Sequence, residues 1–376
     1  MVKISDRYLA LDVLRGVTIA FMILVNTPGS WQHVYPPLLH AKWHGCTPTD
    51  LVFPFFLFVV GVSMYFSFSK YDHGLNHQSL LRIGRRVLLI FAIGLFLNSF
   101  PQWMTNYSEL RIMGVLQRIA LAYGFAAIIA LAASRKWIII HSAWILLVYW
   151  GILWIFGGDD PYSLSGNVAL TFDSAILGES HLWKGFMENG VRVPFDPEGL
   201  LSTIPAVVSV LIGYLAGMLI KHQSNKSQVI KQLVIYGAIF TAAGYVWGFV
   251  FPINKPLWTS SYVLYTAGMA AILFALLIFI IDVKGYKKWS DFFMVFGVNP
   301  LFIFALSGLW ARTLSMLIRW ENAEGQIVTG SGWLYNNIFV PLAGNLNGSL
   351  LYAITHVVFF WLIGYILYRN RIFVKV

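Results

Sequence analysis

The sequence has few of the residues that a water-facing surface or a cross-linked fold requires. Only 11% of its 376 residues are charged, against roughly 25% in typical soluble domains. It has a single cysteine, which excludes an internal disulfide framework and any multi-cysteine metal cluster. These shortages exclude a soluble globular domain and a disulfide-stabilised secreted one.

Apolar residues are abundant instead, at 58% of the chain, with 16% aromatic. Runs of about 20 apolar residues are long enough to cross a bilayer as helices. The pattern predicts an all-α, polytopic membrane helix bundle of about ten transmembrane helices in a single domain, 1–376. The predicted spans are 8–26, 50–69, 82–100, 111–133, 137–156, 201–221, 229–251, 261–281, 291–310 and 350–370. A re-entrant segment within 311–349 would make an eleventh.

Lysines and arginines, 26 in all, concentrate near alternate connections, including Lys3 and Arg7 before the first span. Because basic residues accumulate in cytoplasmic loops, this bias predicts that both termini are cytoplasmic. The net charge of +10 then reflects orientation and contact with anionic membrane lipid. We therefore expect no nucleic-acid partner.

The opposite side receives three long connections, at 27–49, 157–200 and 311–349. Long connections frequently carry function. The middle one is acidic, which would attract a cationic acceptor, although ordinary loop polarity explains the same charge.

The first of these connections holds the densest set of polar side chains. His40 is a candidate general base, since imidazole accepts protons near neutral pH. Asn26 ends the first span, where its amide is an oxyanion donor, a helix cap or an interhelical hydrogen-bond partner. The nearby histidines match no recognised zinc pattern, so we predict no metal. Cys46 is either an acyl-carrying nucleophile or a small apolar filler.

Other candidates are charged or amide groups near or within spans. Arg85 and Arg86 suit the phosphates of a nucleotide-like ligand, or they simply anchor the third span. Gln117 and Arg118 lie inside the fourth span, where a buried charge is functional by default. Arg15 shares a helix face with Asp12, an arrangement that suits either mutual neutralisation or function.

Several blocks, in order along nearly the whole chain, resemble transmembrane acyltransferases related to heparan-α-glucosaminide N-acetyltransferase. The blocks are LDVLRGVTIAFMILVNTPG, HAKWHGCTPTDLVFPFFLFVVGVSM, RIMGVLQRIALAY, FDPEGLLSTIPA, NKPLWTSSYVLYTAGMA and DVKGYKKWSDFFMVFGVNPLFIF.

The resemblance implies a bundle that binds acetyl-CoA from the cytoplasm and acetylates the amine of a glucosamine-type amino sugar on the far side. The family's active-site histidine and following tryptophan match His40 and Trp43, and its functional asparagine matches Asn26. We therefore assign catalysis to His40 and Asn26. The donor-binding set is Arg15, Arg85, Arg86, Gln117 and Arg118; the acceptor-binding set is Trp43, His44 and Asp50.

The sequence departs from the family pattern in two ways. We expect no large N-terminal luminal domain, and His44 replaces the asparagine that usually follows the tryptophan. We therefore expect a bacterial-type homologue in the cytoplasmic (inner) membrane, with the His40 loop extracytoplasmic and a homodimer as one assembly to test. Direct transfer and an acetyl-His40 intermediate are both open. The competing functions are a secondary transporter of a small polar solute and an O-acyltransferase of a polysaccharide.

Overall fold

The structure is a computed structural model that describes residues 8–68, 74–101 and 107–374. Lys3 and Arg7 lie outside these described residues. The helices are α1 Leu9–Asn26, α2 Val52–Phe68, α3 His77–Ser99, α4 Val115–Ala132, α5 Arg135–Phe156, α6 Val168–Leu177, α7 Thr203–His222, α8 Lys226–Trp247, α9 Ser260–Leu277, α10 Ser290–Val298, α11 Pro300–Arg312, α12 Gly330–Leu334 and α13 Val340–Arg369. Two short antiparallel hairpins, β1 Phe186–Glu188 with β2 Val191–Val193 and β3 Arg319–Glu321 with β4 Ile327–Thr329, complete it.

Nine helical segments in the described part of the chain are long and apolar enough to cross a membrane. They are Leu9–Asn26, Pro48–Phe68, Val115–Ala132, Arg135–Phe156, Thr203–His222, Lys226–Trp247, Ser260–Val283, Pro300–Leu317 and Gly330–Arg369. The predicted all-α membrane bundle is thus confirmed. The predicted third span does form a helix, the 23-residue α3. It falls outside the nine, and the arginines in its first half make it more polar than the others.

The predicted continuous span at 291–310 is wrong, because two helices meet at Asn299. Asn299 has non-helical dihedral angles, and Pro300 begins α11. Proline lacks the backbone N–H that an uninterrupted helix needs, and it disfavours helical geometry in the residue before it. The Asn299 side chain bonds the C-terminal segment instead, donating to the carbonyl of Ile372 (2.9 Å) and accepting from the backbone N–H of Val374 (2.8 Å).

Two of the three long connections contain regular structure. Segment 157–200 includes α6 and the β1–β2 hairpin, while 311–349 includes the β3–β4 hairpin, α12 and the first turns of α13. The connection 27–49 has only short helical turns.

Helix α2 packs against α7 with their backbones in contact. A Cβ added to Gly61 would lie 1.9 Å from the carbonyl oxygen of Val210, and one added to Gly213 would lie 2.0 Å from that of Phe58. Only glycine permits so close an approach. The same packing joins α1 to α10 through Gly16.

The long axis of α2 defines two ends of the bundle. We call the end with Asn26, His40 and Asp50 the histidine end, and the end with Phe68, Arg85 and Arg86 the arginine end. At 1.5 Å of rise per residue, Asp50 and Phe68 are roughly 27 Å apart along the axis.

Candidate active site

Asp50 orients His40 at the histidine end. It lies in the helical turn Pro48–Leu51 before α2, where it belongs to a capping box with Thr47. One carboxylate oxygen is 2.7 Å from Nδ1 of His40. The other accepts from the backbone N–H of Ala41 and from the N–H and hydroxyl of Thr47, each at 3.0 Å. The aspartate therefore fixes the start of α2 and the histidine loop together.

Exposure differs sharply across this contact. The Asp50 side chain is 1% exposed and that of His40 is 41% exposed. With Nδ1–H donating to the buried carboxylate, Nε2 carries a lone pair on the accessible ring. A carboxylate holding one imidazole nitrogen so that the other accepts a proton is the arrangement of a general base.

Lys255, which was not among the residues predicted from the sequence, lies beside both His40 and Asp50. Its Nζ is 3.0 Å from Nδ1 of His40 and 3.5 Å from Oδ1 of Asp50. Burial lowers the pKa of Lys255, and the charges of Asp50 and Glu198 oppose that shift. The available signal was its place in the short connection between the predicted spans 229–251 and 261–281, which the charge bias predicts to be extracytoplasmic, where the positive-inside rule disfavours lysine.

The segment carrying Lys255 is tied to the histidine loop by hydrogen bonds. Asn254 donates to the carbonyl of Trp43 (3.0 Å), and Gly45 donates to the carbonyl of Ile253 (2.7 Å). Asn254 also accepts from the backbone N–H of Leu257 (2.7 Å). The segment that carries Lys255 and the histidine loop, although distant in sequence, are thus held together by hydrogen bonds.

Trp43 and His44, both predicted acceptor-binding residues, have different surroundings. The Trp43 indole donates to the carbonyl of Tyr162 (2.7 Å), and its ring packs edge-on against Phe186 and Phe195. His44 is exposed, with Nδ1 3.3 Å from the Asn254 amide. Partial burial lowers the pKa of His44, and Asp160 opposes this shift. Trp43 anchors the loop, while His44 is accessible beside it.

Asn26 ends α1 at the histidine end and is exposed. Within the described residues its side chain makes no hydrogen bond, and the neighbouring Thr27 hydroxyl bonds the carbonyl of Ile23 (2.7 Å). The amide is thus available to a ligand. Its catalytic role stays a prediction.

Gln117 and Arg118 lie at the histidine end, apart from the other predicted donor-binding arginines. The predicted fourth span began at 111, whereas α4 begins at Val115, so both residues lie in its first turn. Gln117 donates to the carbonyl of Ile112 (2.9 Å). Arg118 is fully buried and bonds the Ser202 hydroxyl.

Arg118 is connected to the cluster through aromatic rings. Its guanidinium lies 4.9 Å from the centre of the Trp258 ring, which packs edge-on against Tyr262 at 5.2 Å. The Tyr262 hydroxyl donates to the backbone carbonyl of Asp50 (2.5 Å). Arg118 is thus linked to the backbone of Asp50 through Trp258 and Tyr262.

A second arginine at this end, Arg111, was not among the residues predicted from the sequence. Arg111 bonds both oxygens of Asp196 (2.8 and 2.7 Å) and one of Glu198 (2.6 Å). These carboxylates outweigh the effect of burial and raise the pKa of Arg111. The paired charges hold the segment 195–199 beside the cluster.

The arginine end contains a cavity of about 460 Å³. It is lined by Ser67, Phe68, Gly74, Ser79, Arg82, Ile83, Arg85, Arg86, Leu89, Tyr123 and Leu131. The Arg86 guanidinium lies 4.7 Å from the centre of the Tyr123 ring. Its Nε is buried with no hydrogen-bond partner among the described residues. A buried donor in an arginine-lined cavity fits an anionic ligand.

Arg15 does not line this cavity. It bonds Asp12 (2.9 Å), Ser63 of α2 (2.6 Å) and the carbonyl of Gly297 (3.1 Å), so it joins α1 to α2 and α10. The predicted donor-binding residues therefore occupy three places, and only Arg85 and Arg86 share the cavity. In the described part of the chain, no group of three His, Cys, Asp or Glu side chains is placed to hold a metal ion.

Comparison with known proteins identifies the family of the chain. The family described as heparan-alpha-glucosaminide N-acetyltransferase, catalytic, matches residues 7–247. The chain is 26% identical to human heparan-alpha-glucosaminide N-acetyltransferase and 25% identical to the mouse protein, over 99% of its own length in each case. It spans about 60% of the length of these relatives. The match covers both the His40 loop and the arginine cavity, and the chain belongs to the heparan-alpha-glucosaminide N-acetyltransferase catalytic family.

Proposed function

We propose that this protein transfers an acetyl group from cytoplasmic acetyl-CoA to the amine of a glucosamine-type sugar on the extracytoplasmic side. The observation that carries the proposal is the 2.7 Å contact between Nδ1 of His40 and the buried carboxylate of Asp50. The names of the two relatives supply the reaction class. In a bacterial host the membrane would be the cytoplasmic one.

The arginine cavity is the proposed donor site. Arg82, Arg85 and Arg86 present guanidinium groups suited to phosphate oxygens, and the unsatisfied Nε of Arg86 is a donor awaiting such a partner. When bound, acetyl-CoA supplies an activated thioester carbonyl.

His40 and Asn26 are the proposed catalytic residues at the other end. Nε2 of His40 accepts the proton that the acceptor amine loses as its nitrogen bonds the acyl carbon. Asp50 holds the opposite ring nitrogen and stabilises the imidazolium that results. The amide of Asn26 donates to the developing oxyanion. His40 then returns the proton to the departing thiolate.

The proposal requires the donor to lie along the interior over the roughly 27 Å between the ends of α2, with its charged portion at the arginine end. The histidine end, with its acidic neighbouring segment 157–200, suits a sugar that arrives as the ammonium and releases one proton to water before the free amine attacks. Trp43 and His44 are proposed to border that acceptor.

The test is acetyl transfer by the purified protein in detergent to a panel of amino sugars and their N-blocked forms. We expect transfer to free amines only, with a fall of about 10²–10⁴-fold in His40→Ala and about 10²–10³-fold in Asn26→Ala. His141→Ala, which changes an exposed histidine on α5, is the matched control. Equal turnover of N-blocked sugars would favour the O-acyltransferase, and no turnover would favour a transporter.

A second measurement separates the two routes of transfer. Rapid quenching with labelled acetyl-CoA and no acceptor traps an acetylated histidine only if His40 carries the group. Labelled His40 in wild type, absent from His40→Ala, would rule out direct transfer.

A further inference from the structure

Lys255 contacts both members of the histidine–aspartate pair, and nothing in the proposed reaction has yet used it. Its Nζ is 3.0 Å from Nδ1 of His40 and 3.5 Å from Oδ1 of Asp50. Its side chain is 17% exposed, so the cation is held largely away from water. A lysine in such a place costs desolvation free energy and requires a compensating contact.

The charges of Asp50 and Lys255 act in opposite directions on the imidazole of His40. A carboxylate 2.7 Å from an imidazole favours the protonated imidazolium, which has no lone pair to accept a further proton. A cation beside the same nitrogen has the opposite effect. Asp50 alone would therefore orient His40 but also favour its unreactive form.

Building on the proposed acetyl transfer, we infer that Lys255 is a positioning residue that balances Asp50 and keeps His40 neutral as the resting base. The Nδ1 proton is directed to Oδ1 of Asp50, and the Lys255 ammonium forms an ion pair with the same oxygen at 3.5 Å. The carboxylate thus keeps its orienting hydrogen bond while its charge is offset.

The other titratable groups around this cluster do not supply the balance. Cys46 lies near both Asp50 and Lys255, and burial raises its thiol pKa to about 12, so it is uncharged near neutral pH. Tyr262 reaches the cluster from α9 through its hydrogen bond to the Asp50 carbonyl. Glu198 is within electrostatic reach of Lys255, and its carboxylate already bonds Arg111 (2.6 Å).

The lysine is also built into the fold rather than lying on a free loop. The preceding Asn254 and Ile253 bond the histidine loop at Trp43 and Gly45. A substitution at Lys255 therefore removes a charge from a segment that other bonds hold in place.

The experiment compares Lys255→Met, the conservative Lys255→Arg and the control Lys42→Met, an exposed lysine on the histidine loop. In Lys255→Met we expect kcat to fall about tenfold near neutral pH, and the acid limb of the rate profile to move up by roughly one pH unit. The KM for acetyl-CoA stays unchanged. Lys255→Arg keeps the cation, so we expect its acid limb at the wild-type position. The control Lys42→Met should also leave the acid limb at the wild-type position.

A second readout needs no turnover. Diethyl pyrocarbonate modifies neutral imidazole, so the pH dependence of His40 labelling, followed by peptide mass spectrometry, reports its charge state directly. We expect the labelling midpoint to rise in Lys255→Met only. An unchanged midpoint in folded Lys255→Met, verified by size-exclusion elution, overturns the inference. A raised midpoint in a protein that acetylates no amine would refute the proposed function and leave the charge balance intact.

Discussion

Asp50 bonds the imidazole of a histidine ten residues earlier, and the Nδ1–Oδ1 distance is 2.7 Å. We expect Asp50→Asn to lower kcat by about 10²–10⁴-fold, because an amide can stabilise the wrong tautomer of His40 and carries no charge to stabilise an imidazolium. The KM for the donor should change little. Steady-state acetyl transfer measures both.

Asp159→Asn is the matched control for that substitution, since Asp159 is exposed in the acidic connection. Equal activity in Asp50→Asn and Asp159→Asn would refute the role of the buried carboxylate.

Removing the Arg86 guanidinium should weaken donor binding selectively. Its loss in Arg86→Gln removes charge-assisted hydrogen bonds, so we expect the KM for acetyl-CoA to rise about tenfold with kcat within about twofold. Arg135→Gln, at an exposed helix start, serves as the control. A kcat defect with unchanged KM would contradict a donor-binding role for the cavity.

The lone cysteine should be dispensable for transfer. Burial, reinforced by the charge of Asp50, raises the pKa of the Cys46 thiol to about 12, so only about one part in 10⁴ is thiolate at pH 8. We expect Cys46→Ala to keep kcat/KM within about twofold, and maleimide labelling of wild type to be slow. Fast labelling together with an inactive Cys46→Ala would revive an acyl-cysteine route.

Asp173 should give the protein a pH-dependent stability. Burial raises its pKa to about 6, above the unfolded value of about 3.9. Because the folded state favours the neutral acid, its contribution is full below about pH 3.9 and is lost as pH rises through about 6. Thermal midpoints in detergent should fall over this window less steeply in Asp173→Asn than in wild type. The same slope in both proteins would contradict the assignment.

Hydropathy predicted most of the bundle because apolar length alone decides which segments can cross a membrane. It failed at 291–310, where both halves are apolar but Pro300 ends the continuous hydrogen bonding. Hydropathy also gave no account of α6 or the two hairpins, whose formation depends on local turns and packing.

Only the part of the candidate site that lies in and directly after the connection 27–49 could be predicted from the sequence. His40 and Asp50 are close in sequence, so their grouping followed from a single loop. Lys255 contacts His40 across 215 residues, and Arg111 reaches Asp196 across 85. Such contacts depend on how helices pack, which apolar periodicity does not encode. Gln117, Arg118 and Arg15 likewise lie away from the arginine-end cavity, and their donor-binding role stays a prediction.

The glycine contact between α2 and α7 has a mechanical consequence. Gly61 and Gly213 each lie against a carbonyl of the opposing helix, where a Cβ would collide with the backbone. We expect this close contact to resist sliding of one helix along the other, because sliding would bring larger side chains to the same positions. Since α2 begins beside His40 and ends at the arginine-lined cavity, its length sets the distance between these two sites. For the proposed donor and acceptor to enter, we therefore expect motion in the surrounding helices and connecting segments rather than between α2 and α7.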